Sequence, residues 1–540
     1  MNILMNCISV SIAHMRILRV IFPIIVAVLF FYLFTFKVGN ADFWWHIKAG
    51  KLLRHGGWIV TDPFAYTRAG EAYLANHEWL AQIVFSLLHD LTGYTGIIML
   101  RMVIVCVIFG LPLLLDRRNL WINTGLSLLA AIAARPAIID RPHLFTILMF
   151  SIVMYIVLAY IEDKKIDQKK YTVMVLPLLI VLWSNLHGAA GVIGIAVFGT
   201  LGIQRLADRA ERKEMLVLVL VGVLSCLALL LTPSGFDNIR YMWVLMGDKT
   251  TDLIAEWQSV PLGEYLKHVG IFWVIVLAAC FKGRRHLLCS TLILLGIGYL
   301  SKSAVRHEVL FIVAALALTI HQLKHSEFHM RKIFLIAALF ILTTATLLQA
   351  YSYNMHNNLF GFGEFTPLKG ASEFIHSSGI TGNMFNNYNA GGELIFRGHK
   401  VFLDGRNLDY GYDYISRAIE AGLDVQKWNE LSTEYDFTHA IIYYSLETGK
   451  NPIPYIDILQ NDPHWGLQYL DDWSAVYVKN EEDRMTQITP KMLHNSQMPE
   501  EISLGNLQIL QSEVQNIIDA CPECAKAPEY KQEMVRAFST

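Results

Sequence analysis

Ionisable side chains stand at the ends of apolar runs throughout the first two thirds of the chain. Such groups are costly inside a membrane, and they tend to face a polar cavity or one another. A carboxylate in that position can take a proton from an attacking hydroxyl group, and a guanidinium can hold phosphate oxygens. The residues that carry this chemistry are Asp42, His46, His77, Glu78, Arg101, Asp140, Arg141, His187, Glu256 and Arg306.

Long apolar helices must position these groups, because the composition is that of a membrane protein. Hydrophobic residues make up 54% of the chain and charged residues 17%, against about 25% charged residues in an average soluble protein. A membrane-spanning helix needs about 20 mostly apolar residues. The first candidate is too long for a cleavable signal peptide and lacks a small-residue cleavage site. About eleven candidate spans result, at 17–36, 97–115, 120–135, 143–161, 171–186, 188–204, 215–232, 268–282, 287–301, 309–323 and 333–350.

Lys and Arg cluster in every second loop between these spans, and basic loops stay in the cytoplasm. The N-terminus is then cytoplasmic, and the odd number of spans places residues 351–540 outside the cytoplasmic (inner) membrane. We therefore predict a multi-pass protein in contact with membrane lipids. No stretch is basic enough to indicate binding to nucleic acid.

Residues 38–96 form the longest predicted outer loop. Asp42 can cap a helix over 43–55, because its carboxylate can accept the free backbone N–H groups of the first turn. Trp44, Trp45 and Trp58 favour a position of this helix along the membrane surface, where aromatic rings are enriched. Asn-His-Glu-Trp at 76–79 then opens a second amphipathic helix that ends near Gly93.

The order of these features resembles the GT-C superfamily of membrane glycosyltransferases, which use polyprenyl-phosphate-linked sugars. Lipid A aminoarabinose transferases and protein O-mannosyltransferases belong to it. The resemblance covers about 17–350. It rests on Asp42, Gly56-Gly57-Trp58, Asp62-Pro63-Phe64, Gly93 and the Arg101-bearing span, and on Asp140-Arg141-Pro142-His143-Leu144-Phe145, which is similar to an Asp-x-x-Leu-x-x-Phe pattern at the start of that family's fourth span.

The C-terminal part is similar to a bacterial branch of the superfamily whose members are mostly described only as membrane proteins. Better-known members carry an acidic pair or a Lys-Pro-Pro segment in the first loop, where this chain has Asp42-Phe43 and His77-Glu78-Trp79. The sugar and the acceptor therefore stay open. The marks of the branch are Leu231–Gly235, Glu256-Trp257, Gly382–Tyr388, Gly391-Gly392-Glu393-Leu394-Ile395 and Val401–Arg406.

The resemblance implies inverting transfer of a sugar from a polyprenyl-phosphate-linked donor to an envelope lipid, glycan or protein. It makes Asp42 the general base and Asp140 a second acid; a plain helix cap and a salt bridge to Arg135 or Arg141 are the alternatives. Phosphate is expected at one or more of Arg101, Arg141 and Arg306. Some members use a metal, so Mg or Mn is a candidate cofactor. The groups that can line the pocket or hold such an ion are His46, His77, Glu78, His187 and Glu256.

The composition divides the chain into three parts. Residues 1–350 form the GT-C-like transmembrane domain, 351–478 a soluble α/β domain outside the membrane, and 479–540 a polar tail with a helix near 507–520. Strands are predicted at 383–387, 393–396, 400–403, 440–444 and 475–478, and helices at 366–377, capped by Thr366, and 412–421.

Two pairs of side chains in this C-terminal part could carry function. Asp404 and Arg406 follow a predicted strand, where they can bind an acceptor saccharide or form a structural pair within a turn. Cys521 and Cys524 are the only close pair of cysteines. A local disulfide or a free pair is expected there, because the tail offers too few partners for a metal site.

Three other functions stay open beside glycosyl transfer. A polymerase or ligase of envelope polysaccharide would share the fold. A transporter would show internal repeats with broken helices in matching halves, and the sequence contains none that we detect. A non-catalytic envelope scaffold would leave Asp42 and Asp140 away from any cavity.

Overall fold

The computed structural model describes residues 24–162, 172–324, 332–352, 359–444, 454–479, 504–521 and 524–538. Within these ranges the α-helices are α1 Ile24–Phe34, α2 Ala41–Gly56, α3 Trp79–Gly110, α4 Leu120–Ala134, α5 His143–Glu162, α6 Leu176–Leu186, α7 Gly191–Ala207, α8 Arg212–Ala228, α9 Asp237–Gly247, α10 Leu262–Gly283, α11 Leu287–Ser303, α12 Glu308–Leu323, α13 Lys332–Ala350, α14 Lys369–Ser378, α15 Gly391–Phe396, α16 Asn407–Tyr410, α17 Tyr412–Ala421, α18 Val425–Glu434, α19 Ile456–Asn461, α20 Leu504–Ala520 and α21 Lys526–Phe538. The strands are β1 Asn383–Asn386, β2 Phe437–Tyr443, β3 Trp465–Leu470 and β4 Ser474–Lys479.

The chain divides into two compact units, which are described separately. The helical unit comprises Met1–Val38, Asn76–Gly247 and Ile254–Glu364. The α/β unit comprises Gly39–Ala75, Asp248–Leu253 and Phe365–Thr540. Residues 39–75, which the sequence analysis counted with the transmembrane domain, thus fold with the C-terminal part of the chain.

The helical unit contains the apolar helices. A helix occupies each of the eleven predicted apolar segments, the first only in part because residues 1–23 lie outside the described ranges. Gly93 has φ 63° inside α3, so the predicted break there is a kink within one long helix. Five helical stretches in the described ranges are long and apolar enough to cross a membrane: Ala75–Leu115, His143–Glu162, Gly188–Ala207, Leu262–Gly283 and Val305–Leu323. The class of membrane protein is supported; the number of spans and their orientation stay predictions.

The α/β unit is built on one mixed sheet with strand order β1-β2-β4-β3. β1 and β2 are parallel, with Phe385 opposite Ala440, whereas β4 runs antiparallel to β2 and β3. Its core is aromatic: the Phe385 ring contacts those of Phe402, Trp428 and Phe437. The predicted strands at 383–387, 440–444 and 475–478 and the predicted helix at 412–421 are confirmed.

Three local predictions in this unit are wrong. Residues 393–396 lie in helix α15, and within 400–403 only Val401 forms a bridge, with Ala65. Leu394, Ile395, Val401, Phe402 and Leu403 are buried in the core of the α/β unit, so the hydrophobicity of both segments reflects core packing and not strand pairing. Thr366 is no cap, because α14 begins at Lys369 after Leu368. Of the two alternatives for the cysteines, the disulfide is observed between Cys521 and Cys524.

The predicted cap of α2 also needs correction. Asn40 is the N-cap, and its side-chain oxygen accepts the backbone N–H of Asp42 at 3.1 Å. Asp42 therefore lies within the first turn, and its carboxylate is not spent on capping that turn. Trp44 and Trp45 are buried, and the Trp44 ring packs against Phe396. Trp58, by contrast, is 42% exposed. The position of this helix along a membrane surface stays a prediction.

Candidate active site

The first candidate group in the helical unit is the Glu78 cluster, defined as His77, Glu78 and His187. Glu78 precedes α3, and His187 links α6 to the turn before α7. The Glu78 carboxylate lies 3.3 Å from His187 Nε2 and 3.8 Å from His77 Nε2. The His77 ring stacks on Tyr241 at 4.1 Å between centroids. Residues far apart in sequence thus place two imidazoles around one carboxylate.

A chain of polar contacts fixes the protonation state of His187. Its Nδ1 lies 2.6 Å from Thr146 Oγ1, which also accepts the Trp183 indole N–H at 2.9 Å. Burial, with the charges of Arg306, His77 and Arg141, holds the pKa of His187 well below its usual range. We therefore assign a neutral imidazole that accepts the Thr146 hydroxyl at Nδ1 and presents Nε2–H to Glu78.

The second group is the Glu256 cluster, defined as Arg141, Glu256 and Arg306. The Glu256 carboxylate contacts Arg141 at 3.1 Å and Arg306 at 3.5 Å. Burial alone would raise the pKa of Glu256, but the two guanidiniums outweigh it and lower that pKa. The Arg306 guanidinium also lies 4.2 Å above the Trp257 ring. All three charged side chains keep exposed surface, 21% for Arg141, 33% for Glu256 and 13% for Arg306.

Glu256 contacts both guanidiniums of this cluster. Because all three side chains are partly accessible, an anion can take the place of Glu256 on either guanidinium. The charges of Arg141 and Arg306 also reach His187, so the Glu78 and Glu256 clusters belong to one electrostatic neighbourhood of the helical unit.

Arg101 and Asp140 form a different kind of pair. Arg101 Nη1 lies 2.5 Å from Asp140 Oδ2, and the two side chains are 0% and 3% exposed. Arg101 also donates to the backbone carbonyl of Phe36, and Arg135 donates to that of Leu33 at 3.0 Å. The two guanidiniums lie on the Phe36 ring, 3.5 and 3.7 Å from its centroid.

These contacts indicate a structural role for Arg101 and Asp140. Arg101 and Arg135 donate hydrogen bonds to carbonyl groups at the C-terminal end of α1, where helical partners are lacking. The salt-bridge alternative considered for Asp140 is thus present, with Arg101 as the partner instead of Arg135 or Arg141. Neither side chain offers the accessible surface that a phosphate or a reacting hydroxyl group needs.

In the α/β unit, Asp42 and His46 lie one turn apart on α2. The Asp42 carboxylate accepts the Trp45 indole N–H at 3.3 Å and lies against Gly405. His46 is buried, and its ring lies 3.7 Å from that of Trp45. Asp42 keeps partial exposure, whereas His46 does not. Of the two, Asp42 is the one that a ligand can reach.

Asp404 and Arg406 belong to the Arg406 cluster, defined as Asp62, Asp404, Arg406 and Asp409. Arg406 contacts Asp404 and Asp62 at 2.6 Å each and Asp409 at 3.2 Å. Every member is at most 1% exposed at its side chain. Asp62 also accepts the backbone N–H groups of Phe64 and Ala65, which forms a turn at that Asp-Pro-Phe segment.

The geometry of the Arg406 cluster is that of a structural ion-pair network. Three carboxylates surround one guanidinium, so burial and the like charges raise the pKa of Asp409 to about 7 although Arg406 opposes this. The structural-pair alternative for Asp404 and Arg406 is the one that these contacts favour. Acceptor binding by these two residues stays a prediction.

Several residues of the site were not singled out from the sequence. Thr146 and Trp183 are ordinary residues of apolar helices until the fold places them on His187. Trp79 donates to Asn185 Oδ1 at 2.9 Å, which ties α3 to α6. Asn238 is buried beside Gly188, and both of its amide atoms lack a hydrogen-bond partner within the described ranges. Thr146, Trp183 and Asn238 belong to no motif that the sequence analysis identified, so no spacing signal marks them.

The donor geometry gives no metal site. No group of three or more His, Cys, Asp or Glu side chains is arranged to hold an ion among the residues that the structure describes. The Glu78 cluster does not fit one, because His187 directs Nδ1 to Thr146 and Nε2 to the carboxylate. No chemical step is therefore derived through Mg or Mn.

The fold is that of known membrane glycosyltransferases, although by sequence no family model and no curated protein matches the chain. The archaeal oligosaccharyltransferase AglB from Archaeoglobus fulgidus, in complex with an inhibitory peptide and a dolichol-phosphate, has a TM-score of 0.56 at 11% identity, over 96% of this chain and 86% of that one. ArnT from Cupriavidus metallidurans bound to undecaprenyl phosphate has a TM-score of 0.51 at 13% identity, over 85% and 97%. In the apo state its TM-score is 0.53, over 86% and 98%. The resemblance to the GT-C superfamily is confirmed at the level of the fold.

Proposed function

We propose that the protein is a membrane glycosyltransferase that takes its sugar from a polyprenyl-phosphate-linked donor. The acceptor is a lipid, glycan or protein of the cell envelope at the outer face of the cytoplasmic membrane. The observation that carries this proposal is the Glu256 cluster, in which two partly exposed guanidiniums contact the Glu256 carboxylate, on a fold shared with two proteins solved with a polyprenyl-type phosphate.

The charge of the Glu256 cluster fits the charge change of the reaction. A polyprenyl-phosphate sugar carries one negative charge, and the released polyprenyl phosphate carries up to two. Fixed guanidiniums that face the phosphate stabilise the charge that develops as the sugar–oxygen bond breaks. We assign this role to Arg141 and Arg306, with Glu256 as the carboxylate that the phosphate displaces from them.

Asp42 is the proposed general base. The acceptor oxygen attacks the anomeric carbon, the bond from that carbon to the phosphate oxygen breaks, and the acceptor proton passes to the Asp42 carboxylate. Its carboxylate is partly exposed and belongs to the first turn of α2. The Glu78 cluster is proposed to line the donor pocket, with Glu78 oriented by His187. We assign Arg101 and Asp140 a structural role in supporting α1. This role replaces phosphate binding by Arg101 and the acid role of Asp140.

The test is binding and turnover with purified protein in detergent. Undecaprenyl phosphate and a panel of its glycosyl derivatives are offered to wild type, Asp42→Asn, Arg306→Ala and the exposed-site control Arg117→Ala. We expect Asp42→Asn to bind lipid without turnover, Arg306→Ala to bind weakly, and the control to match wild type. Absence of affinity for every such lipid would reject glycosyl transfer and leave transport or a scaffold role on the same fold. Binding with formation of a longer glycan chain would favour a polymerase.

A further inference from the structure

Two glycine-containing segments of the C-terminal part pack against the start of α2. The first is Gly391-Gly392, at the N-terminus of α15, and the second is Asp404-Gly405-Arg406. A side-chain carbon on Gly392 would meet the Ala41 carbonyl oxygen and lie 3.4 Å from the Trp45 ring. The sequence alone assigns no task to either glycine.

Gly405 makes the closest approach to the proposed base. A side-chain carbon on Gly405 would collide with Asp42 Oδ1 and lie 2.9 Å from its carboxyl carbon. Gly405 and Gly392 do not adopt positive φ, so their backbone conformation does not require glycine. What requires glycine is the space that the Asp42 carboxylate and the α2 backbone occupy.

The segment that carries Gly405 is held rigidly. The Asn386 side chain accepts the Phe402 N–H and donates to the Leu403 carbonyl, both at 2.8 Å. Asp404 and Arg406, on either side of Gly405, bind each other at 2.6 and 2.7 Å. The buried Arg406 cluster therefore anchors both neighbours of the glycine, and the surface under Asp42 has little freedom to shift.

We propose that Gly405 and Gly392 are positioning residues for Asp42, and that the Asp404-Gly405-Arg406 turn sets the direction of its carboxylate. This inference rests on the proposed function, in which Asp42 is the general base. The Arg406 cluster acts indirectly, because it fixes the Asp404-Gly405-Arg406 turn. The α/β unit thereby supplies the support of the base, which explains why α2 folds with the C-terminal part of the chain.

The first experiment measures turnover of Gly405→Ala. We expect kcat to fall about tenfold to a hundredfold, the scale of a base displaced by about 1 Å, with lipid binding unchanged and the acid limb of the pH–rate profile shifted. Gly56→Ala is the matched control, because Gly56 ends the same helix and has open space around it. In the Asp42→Asn background, Gly405→Ala should cause no further loss, since it acts through the missing base.

The second experiment measures thermal stability and does not depend on activity. Gly405→Ala should lower the melting temperature in the wild-type background and lower it less with Asp42→Ala, which makes room for the new methyl group. If Gly405→Ala alone does not fold, recovery of folding in the double variant gives the same answer.

The outcomes distinguish failure of the positioning role from failure of the proposed function. Wild-type turnover with Gly405→Ala equal to Gly56→Ala would overturn the positioning role and leave the glycosyltransferase standing. Equal destabilisation of both backgrounds would overturn the Gly405–Asp42 contact itself. Absence of wild-type lipid binding would instead overturn the proposed function, and the positioning role would fall with it.

Discussion

The Arg406 and Glu256 clusters both pair arginine with acidic side chains, but they differ in composition and in exposure to solvent. The Arg406 cluster surrounds one guanidinium with three carboxylates and excludes solvent. The Glu256 cluster gives two guanidiniums one carboxylate and leaves all three partly exposed. A ligand cannot reach the buried Arg406 guanidinium, whereas the guanidiniums of Arg141 and Arg306 are partly accessible. Burial, and not residue type, separates a structural cluster from a candidate phosphate site.

The largest effect is expected from Arg406→Met. Loss of the Arg406 guanidinium removes the cation that contacts three buried carboxylates, of which Asp62 is also approached by Arg68 at 3.9 Å; this loss costs about 3 to 5 kcal/mol of unfolding free energy. Arg417→Met is the control, because Arg417 and Glu434 form an exposed pair of a kind worth about 0 to 1 kcal/mol. Thermal unfolding in detergent measures both. Equal losses in the two variants would mean that the Arg406 cluster is not the buried anchor described above.

The next effect is a pH dependence of stability that originates in Asp409. Its native pKa of about 7 exceeds that of an unfolded Asp, about 3.9. The native state therefore binds more protons between these values, and its stability falls as pH rises through that window. Between pH 5 and pH 8 the contribution is about 2 to 3 kcal/mol.

Asp409→Asn should remove this contribution, so the variant should match wild type near pH 5 and be the more stable of the two at pH 8. Exposed Asp413→Asn, on α17, should leave the pH profile unchanged. Melting temperatures across this pH range provide the measurement. A wild-type profile that rises from pH 5 to pH 8 and is steepened by Asp409→Asn would contradict the assignment.

Arg306→Ala is expected to act on binding and not on stability. Loss of one phosphate-facing guanidinium should weaken undecaprenyl phosphate binding about tenfold to a hundredfold, equivalent to about 1 to 3 kcal/mol. The melting temperature should change little, because Arg306 is partly exposed and Glu256 keeps Arg141. The contrast with Arg406→Met, which should lose stability, is the direct test of the comparison. A large loss of stability in Arg306→Ala would mean that the Glu256 cluster, like the Arg406 cluster, is structural.

The smallest effect is expected from Glu256→Gln. The change removes the carboxylate that competes with phosphate for Arg141 and Arg306, so affinity for undecaprenyl phosphate should rise about twofold to fivefold. Equilibrium binding at low and high salt measures it, and the gain should shrink as salt screens the charges. Weaker binding would show instead that Glu256 is needed to hold the two guanidiniums in place.

Individual residues show how far the sequence could predict this site. Periodicity and apolar length indicated the helices because those signals are local, and the charged residues at helix ends pointed to the Glu256 and Glu78 clusters. Arg101 and Arg306 look alike in sequence, since each lies near the start of a predicted span. Only packing shows that Arg101 is buried on Asp140 while Arg306 keeps accessible surface. Residues 393–396 have the apolar character of a strand and form a helix because tertiary contacts override local propensity.

The sequence by itself determined the class of protein, since 54% hydrophobic residues in long runs can be buried only in a membrane-type helical fold, and the order of its motifs indicated the superfamily. Tertiary structure alone decided that α2 and Asp42 belong to the α/β unit, that Gly405 is glycine because Asp42 occupies the space beside it, and that Arg406 is an anchor. These facts depend on contacts between residues more than 300 positions apart, such as Asp62 and Arg406 with a separation of 344. No local pattern encodes such a contact, because it exists only when the intervening chain has folded.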